Sequence, residues 1–376
     1  MPLKTVAEFK IQRLEILSPD GQLDKSLEPQ IPNEKLLELY RKMAEIRLFD
    51  DKAFRMQRQG RLGTYPQILG QEATQIVPPL CLKPKDWMIP TYRGQGAYYA
   101  RGMKLRYSLL YWGGDDRGAA HFPPENNDMI FSIPVGTHLT QAAGLAWGAK
   151  MNHDPSVVLT YLGDGTTSKG DFHEALTFAG VYKLPVIYIV ENNQYAISIP
   201  RSKQTASQTL SQKALGYGAV GLQVDGNDVL AVYKAVTEAV ERGRKGEGPT
   251  FLECETYRLG HHTTADDATR YRSEEEVEQW RKKDPVDRFK KYLISKKLWD
   301  EDRDMRLKKE AEAMIQAEIE EYETMSPPNP LNMFANNYAT APWHLVEQRA
   351  ELEEILKTKQ ARKEVVELPP VEGRFP

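Results

Sequence analysis

Residues 161–198 read "YLGDGTTSKGDFHEALTFAGVYKLPVIYIVENNQYAIS". The apolar run that ends at Leu162 begins at Val157 and reads as a buried strand, short and β-branched. Gly163-Asp164-Gly165 is the turn at its carboxyl end. Phe172, Ala175, Leu176 and Ala179 then fall on one face of a helix, and Pro185 to Val190 makes a second apolar strand. Strand, helix and strand make a βαβ unit, whose crossover is right-handed and whose strands are parallel. Asp164 and Asn193, 29 positions apart, therefore both lie beyond the carboxyl edges of parallel strands, where open α/β sheets bind their ligands.

A carboxylate and an amide carbonyl are hard oxygen donors that suit Mg²⁺, an ion that takes few protein ligands and completes its octahedron with phosphate oxygens and water. A diphosphate-bearing ligand is the natural completion. The glycines allow close backbone approach, and a helix starting between Thr167 and Asp171 aims N–H groups at an anion. Two other readings stay open on spacing alone. A dinucleotide fold would want a third glycine where Ser168 stands, although Glu191 imitates its ribose-binding acid. Alternatively Asp164 merely caps a helix and the asparagines turn a loop. The lysine of a phosphate-binding P-loop is missing, since Lys169 precedes Gly170.

Outward from this unit, residues 68–257 alternate short apolar runs ("DWMIPTY", "SVVLTYLG", "PVIYIVENN", "VGLQVDG", "TFLECETYRLG") with helical patterns ("LTQAAGLAWGAKM", "VLAVYKAVTEAVERGRKG"). That alternation predicts an α/β fold, a mainly parallel sheet with helices on both faces. Ahead of it, after an irregular start, "IPNEKLLELYRKMAEIRLFDDKAFRMQRQG" predicts one long packing helix that starts at Pro32-Asn33 and stops at Gly60. "YRLGHHTTADDATRYR" has no period and reads as a surface loop. Residues 284–325 return to helix, and the charged "EDRDMRLKKEAEAMIQAEIEEYETM" reads as solvated or partner-facing. "SPPNP" marks a break, and "ELPPVEGRFP" reads as an extended tail. The expected division is 1–60, extension and helix; 61–283, the α/β domain; 284–376, helices and tail.

With 376 residues, 40% of them hydrophobic, the chain has material for one large core or two modest ones. A net charge of −3 with signs interspersed gives no footprint for nucleic acid or an anionic membrane. Cys81 and Cys254, the only cysteines, have no metal-ligand spacing and suggest a reducing, cytoplasmic setting. No signal-peptide core or 18-residue apolar run is seen, so neither export nor a membrane span is expected.

The segments "RQGRLGTYPQILGQEA", "PTYRGQGAYYARG", "GDGTTSKGDFHEALTFAG", "ENNQYAIS", "VDGNDVLAVY" and "YRLGHHTTADDATRYR" occur in an order that resembles the alpha subunits of the thiamine diphosphate-dependent, decarboxylating first component of 2-oxo-acid dehydrogenase complexes. The likeness covers roughly residues 35–345. It implies the thiamine diphosphate-binding fold, with Asp164, Asn193 and the backbone carbonyl of Tyr195 as Mg²⁺ ligands and with Gly163, Asp164, Gly165 and Thr166 among the cofactor-binding residues. It implies Tyr92 and Arg93 on the diphosphate, arginine being an apt multi-donor phosphate partner. Ile133 and Val135 would meet the aminopyrimidine, against an ordinary core role. His262 would be the active-site loop histidine, placed to stabilise a carboxylate or shuttle a proton with a pKa near neutrality. Arg258 would order that loop around an anion, and His138 would face substrate or pack in the core. Where many relatives carry Met-Pro or Met-His, this chain has Ala119-Ala120-His121-Phe122, which leaves substrate contacts from the 113–127 loop open.

The resemblance implies pyruvate as substrate, with branched-chain 2-oxo acids or acetoin as alternatives, and transfer of the acyl group to a lipoyl-bearing acyltransferase. The chain has no second βαβ set with a glutamate for the aminopyrimidine. A separate beta subunit is therefore expected to supply it, in an α₂β₂ assembly. Thr263 and Thr264 stand where mitochondrial relatives are phosphorylated.

Overall fold

The computed structural model describes residues 3–335 and 337–362. Its strands are β1 (Gln12–Leu14), β2 (Trp87–Ile89), β3 (Asn127–Asp128), β4 (Val158–Gly163), β5 (Val186–Asn192), β6 (Tyr195–Ala196), β7 (Ile199–Pro200), β8 (Val220–Asp225) and β9 (Thr250–Glu255). Seven form one sheet in the order β1-β8-β9-β5-β4-β2-β3, every neighbouring pair parallel. β6 and β7 pair separately as an antiparallel hairpin. The helices are α1 (Asn33–Arg58), α2 (Glu72–Ile76), α3 (Gln95–Ala100), α4 (Leu105–Trp112), α5 (Thr137–Met151), α6 (Gly170–Val181), α7 (Arg201–Gln204), α8 (Ser211–Leu215), α9 (Val229–Arg244), α10 (Glu274–Arg281), α11 (Pro285–Ser295), α12 (Glu301–Thr324) and α13 (Trp343–Arg362).

The near-continuous apolar runs of β4 and β5 follow from burial on both faces. Leu159, Tyr161, Ile187 and Ile189 point into a core with α1 and α9, whereas Val158, Leu162, Val186, Tyr188 and Val190 point into a second core with α5 and α6. Each fully buried aliphatic or aromatic side chain is worth about 1.5–3 kcal/mol of transfer free energy. α1 buries Leu36, Leu39, Met43, Ile46, Phe49, Ala53 and Met56, and Gly60, at φ +73°, supplies the left-handed residue beyond its end.

Two sequence expectations change. The irregular start contains β1, an edge strand too short for a period-2 signal. It is fixed by Asp228, whose Oδ2 accepts from the Ile16 and Leu17 N–H groups at 2.7 Å while Oδ1 caps α9 through Leu230 and Ala231. α12 is not solvated all round: Leu307, Ala311, Ile315 and Ile319, spaced by four, are buried with α1 and α4. The chain divides after Thr324 into two compact units. In the second, α13 packs on a turn at Pro330–Phe334. The proposed tail at 367–376 lies outside the described residues.

Candidate active site

Four adjacent strands of the sheet, β2, β4, β5 and β9, end at the same edge because all are parallel. Their carboxyl-terminal extensions carry Tyr92 and Arg93, Asp164, Asn193, and Arg258 with His262, respectively. All six line one cavity of about 460 Å³.

On one side of it, Asp164 is buried, and its Oδ2 accepts from Gln204 Nε2 at 2.7 Å. Burial pushes its carboxyl above the usual carboxylate range, against that hydrogen bond. Asn193 is also buried. Its Nδ2 donates to Gln71 Oε1 at 2.9 Å, and its Oδ1 receives a long contact from the Tyr195 N–H at 3.4 Å. The Tyr195 carbonyl stands 3.4 Å from Arg258 Nη1. Between these groups the backbone is strained: Gln194 and Ile197 have φ of +74° and +55°. Gly165 is required by close approach, since a Cβ there would lie 2.6 Å from that of Ala196.

On the other side, Arg93 donates to the Gln67 carbonyl at 2.5 Å and to the His262 carbonyl at 2.9 Å. Arg258 donates to the Ile197 carbonyl and to the Tyr271 hydroxyl. Both guanidinium groups reach His262 Nδ1, at 3.2 and 3.3 Å. His262 is therefore not poised near neutrality: burial first, then Arg93 and Arg258, push its pKa down to about 3. Tyr92 meets the same ring edge-on at 6.2 Å.

The remaining sequence candidates divide. Gly163, Thr166, Tyr195, Val135 and His138 line the cavity; Ile133 does not, and is half exposed. Neither Ile133 nor Val135 is core. His138 is buried, with Nε2 2.6 Å from the Tyr161 carbonyl, and burial lowers its pKa, so Nδ1 is its free acceptor. The 113–127 loop contributes no lining residue; His121 stacks on Tyr107 instead. Nor is "YRLGHHTTADDATRYR" wholly a surface loop. Tyr257, Arg258 and Thr264 are buried, and Thr264 Oγ1 accepts from the Tyr65 N–H at 3.1 Å. Glu191 lines the cavity too, with Oε1 taken by Thr74 and Gln75 of α2 at 2.8 Å. Gln71 and Gln204 were missed. Their amides carry no motif chemistry, and only their closeness to the ligand pair marks them.

The donor set tests the fit to a cation and a diphosphate. Among the described residues no group of three or more His, Cys, Asp or Glu stands ready to hold a metal, so a cation at Asp164 and Asn193 would fill its shell from backbone carbonyl, water or ligand oxygens. Arg258 Nε is buried without a hydrogen-bond partner, a donor suited to an anion.

Residues 40–331 match the family model described as dehydrogenase E1 component. The chain belongs to that family. The pyruvate dehydrogenase E1 component subunit alpha of Staphylococcus epidermidis strain RP62A is 41% identical over 357 residues, which cover 94% of this chain and 95% of the relative. The subunit of the same name from Staphylococcus aureus strain Mu50 gives the same identity and coverage. Membership of the dehydrogenase E1 component family implies thiamine diphosphate as cofactor, and implies a beta subunit, an acyltransferase partner and a 2-oxo acid substrate. Among the described residues no helix is long and apolar enough to cross a membrane.

Proposed function

We propose that the chain is the alpha subunit of a cytoplasmic pyruvate dehydrogenase that decarboxylates pyruvate and acetylates the lipoyl group of an acyltransferase. One observation carries the reading: the hard-oxygen pair Asp164 and Asn193 and the cationic pair Arg93 and Arg258, with His262 between them, share a single cavity. In this reading Asp164, Asn193 and the Tyr195 carbonyl hold Mg²⁺, and Tyr92 and Arg93 hold the diphosphate with Arg258 beside them. Gly163, Gly165 and Thr166 bring backbone against it. Thiamine diphosphate supplies the electron sink for decarboxylation when bound. His262, kept neutral, presents Nε2–H as a donor to a developing negative charge. His138 is oriented by the Tyr161 carbonyl, with Nδ1 left as an acceptor.

The cavity mouth supports a partner chain. Val135, Ile197 and Ile199 line the cavity and are exposed, and Ile133 adjoins them. A cluster of aliphatic side chains at an active-site rim marks a surface that another protein covers. A beta subunit seated there would bring the missing aminopyrimidine carboxylate, in an α₂β₂ assembly. The test is dye reduction with thiamine diphosphate and Mg²⁺ across pyruvate, 2-oxobutyrate, branched-chain 2-oxo acids and acetoin. Activity is expected only when the beta subunit is present, with pyruvate preferred. Full activity of the alpha chain alone would sink the proposal, and a preference for branched-chain acids would reassign the substrate.

A further inference from the structure

Each side chain proposed to hold the cation is itself held by an amide from elsewhere in the fold. Gln71, wholly buried at the start of α2, accepts from Asn193 Nδ2 at 2.9 Å. Gln204, the last residue of α7, donates Nε2 to Asp164 Oδ2 at 2.7 Å and to the Ile199 carbonyl at 3.3 Å. Each bond fixes an orientation that the ligand side chain does not fix by itself. An asparagine offers a cation either its oxygen or its NH₂, and only the oxygen binds. With Nδ2 on the Gln71 oxygen and the Tyr195 N–H approaching Oδ1, the Asn193 amide is held with its NH₂ toward α2 and its oxygen toward Tyr195. A carboxylate binds with one oxygen or two, and Gln204 engages Oδ2, leaving Oδ1 for the ion.

Resting on the Mg²⁺ reading above, we propose that Gln71 and Gln204 are positioning residues of the cation site. Gln71 turns the Asn193 oxygen toward the ion, and Gln204 restricts Asp164 to one-oxygen coordination. Together they select Mg²⁺ over Ca²⁺, because Mg²⁺ demands a strict octahedron while Ca²⁺ accepts bidentate carboxylates and higher coordination. The two roles have opposite chemical requirements. Gln71 must accept, a task a glutamate also performs; Gln204 must donate, which a glutamate beside Asp164 cannot do.

The experiment uses the full-length chain co-purified with its beta subunit. Mn²⁺ binding in the presence of thiamine diphosphate is followed by electron paramagnetic resonance, with Mg²⁺ and Ca²⁺ as competitors. Gln71→Leu and Gln204→Leu are expected to weaken Mn²⁺ binding about 10–100-fold, the usual cost of losing a residue that orients a metal ligand. Gln71→Glu is expected to stay near wild type, Gln204→Glu to fall with Gln204→Leu, and Gln204→Leu to lose the preference for Mg²⁺ over Ca²⁺. Gln204 is only partly buried, so its variants keep the test alive if those of Gln71 do not fold. Wild-type affinity and ion preference in folded Gln204→Leu would overturn the proposal, as would equal losses in Gln71→Leu and Gln71→Glu. Unchanged Mn²⁺ binding in Asp164→Ala would instead overturn the Mg²⁺ reading itself.

Discussion

Arg93 Nη2 lies 3.2 Å from Nδ1 of His262. A guanidinium only donates, so Nδ1 is the acceptor and the ring proton sits on Nε2. The ring is neutral because a third positive charge beside Arg93 and Arg258 is unfavourable in a buried place. Arg93→Gln is therefore expected to raise the His262 pKa from about 3 toward its ordinary value, as read from ring nitrogen shifts in an NMR titration. In the wild type the unfolded chain takes up a proton on this histidine between about pH 6.5 and the folded value, so its contribution to stability falls as pH falls through that window. His262→Ala, which removes the Nε2–H donor, is expected to lower turnover about a hundred- to a thousand-fold. A turnover within twofold of wild type would remove His262 from the chemistry.

Asp164 is a buried carboxylate whose hydrogen-bond donors, the Gln204 amide and the backbone N–H groups of Gly165 and Asp164 itself, are all neutral. Asp164→Asn relieves that buried charge, so the melting temperature measured without cofactor is expected to stay level or rise. Binding of thiamine diphosphate in the presence of Mg²⁺ should nevertheless be lost in titration calorimetry. A variant that binds as tightly as wild type would mean that the metal lies elsewhere.

Gly165→Ala places a methyl 2.6 Å from the Ala196 Cβ. Gln204 Oε1, at 3.2 Å, is the end of a flexible side chain and can give way, but the Ala196 Cβ cannot, so the turn that carries Tyr195 must move. A cost of about 1–3 kcal/mol is expected from overpacking, with a larger proportional loss of cofactor affinity than at Gly163, where a Cβ meets nothing within 4 Å. Denaturant melts and cofactor titrations of both alanine variants make the comparison.

Asp50 holds the loop from which the Gln67 carbonyl receives Arg93. Its carboxyl accepts from the Ile68 N–H and the Tyr65 hydroxyl at 3.0 Å. Burial raises its pKa to about 7; Glu72 adds to the rise, and Ile68, Tyr65 and Arg93 oppose it. The folded state thus holds the proton more tightly than the unfolded chain, and this contribution to stability is lost as pH rises from about 4 through 7. Asp50→Asn is expected to flatten that part of the stability–pH curve in urea denaturation at pH 5 and pH 8. An unchanged slope would show that Asp50 is not the titrating group.

Thr264 Oγ1 accepts from the Tyr65 N–H, and its own N–H donates to the Tyr65 carbonyl at 3.0 Å. Thr264→Ala leaves a buried N–H without that partner and should cost about 1–3 kcal/mol. Thr263, partly exposed, should tolerate the same change, and thermal melts of the pair distinguish them.

The residues between Tyr161 and Ser198 determined much of this protein by themselves. Apolar runs of strand length around a helical period fix a parallel βαβ unit, and such a unit puts Asp164 and Asn193 at one edge whatever surrounds them. Local sequence could not show which other strands lie beside β4 and β5. That order brings Arg93 from β2 and Arg258 from β9 to the same cavity, through pairings of residues up to 71 positions apart. Burial was equally illegible: the period-free loop at 257–272 looks polar, yet its Arg258 and Thr264 are enclosed by partners distant in sequence. The protonation of His262 belongs to the same class. A lone histidine in a sequence titrates near neutrality, and only the fold sets two guanidinium groups against it.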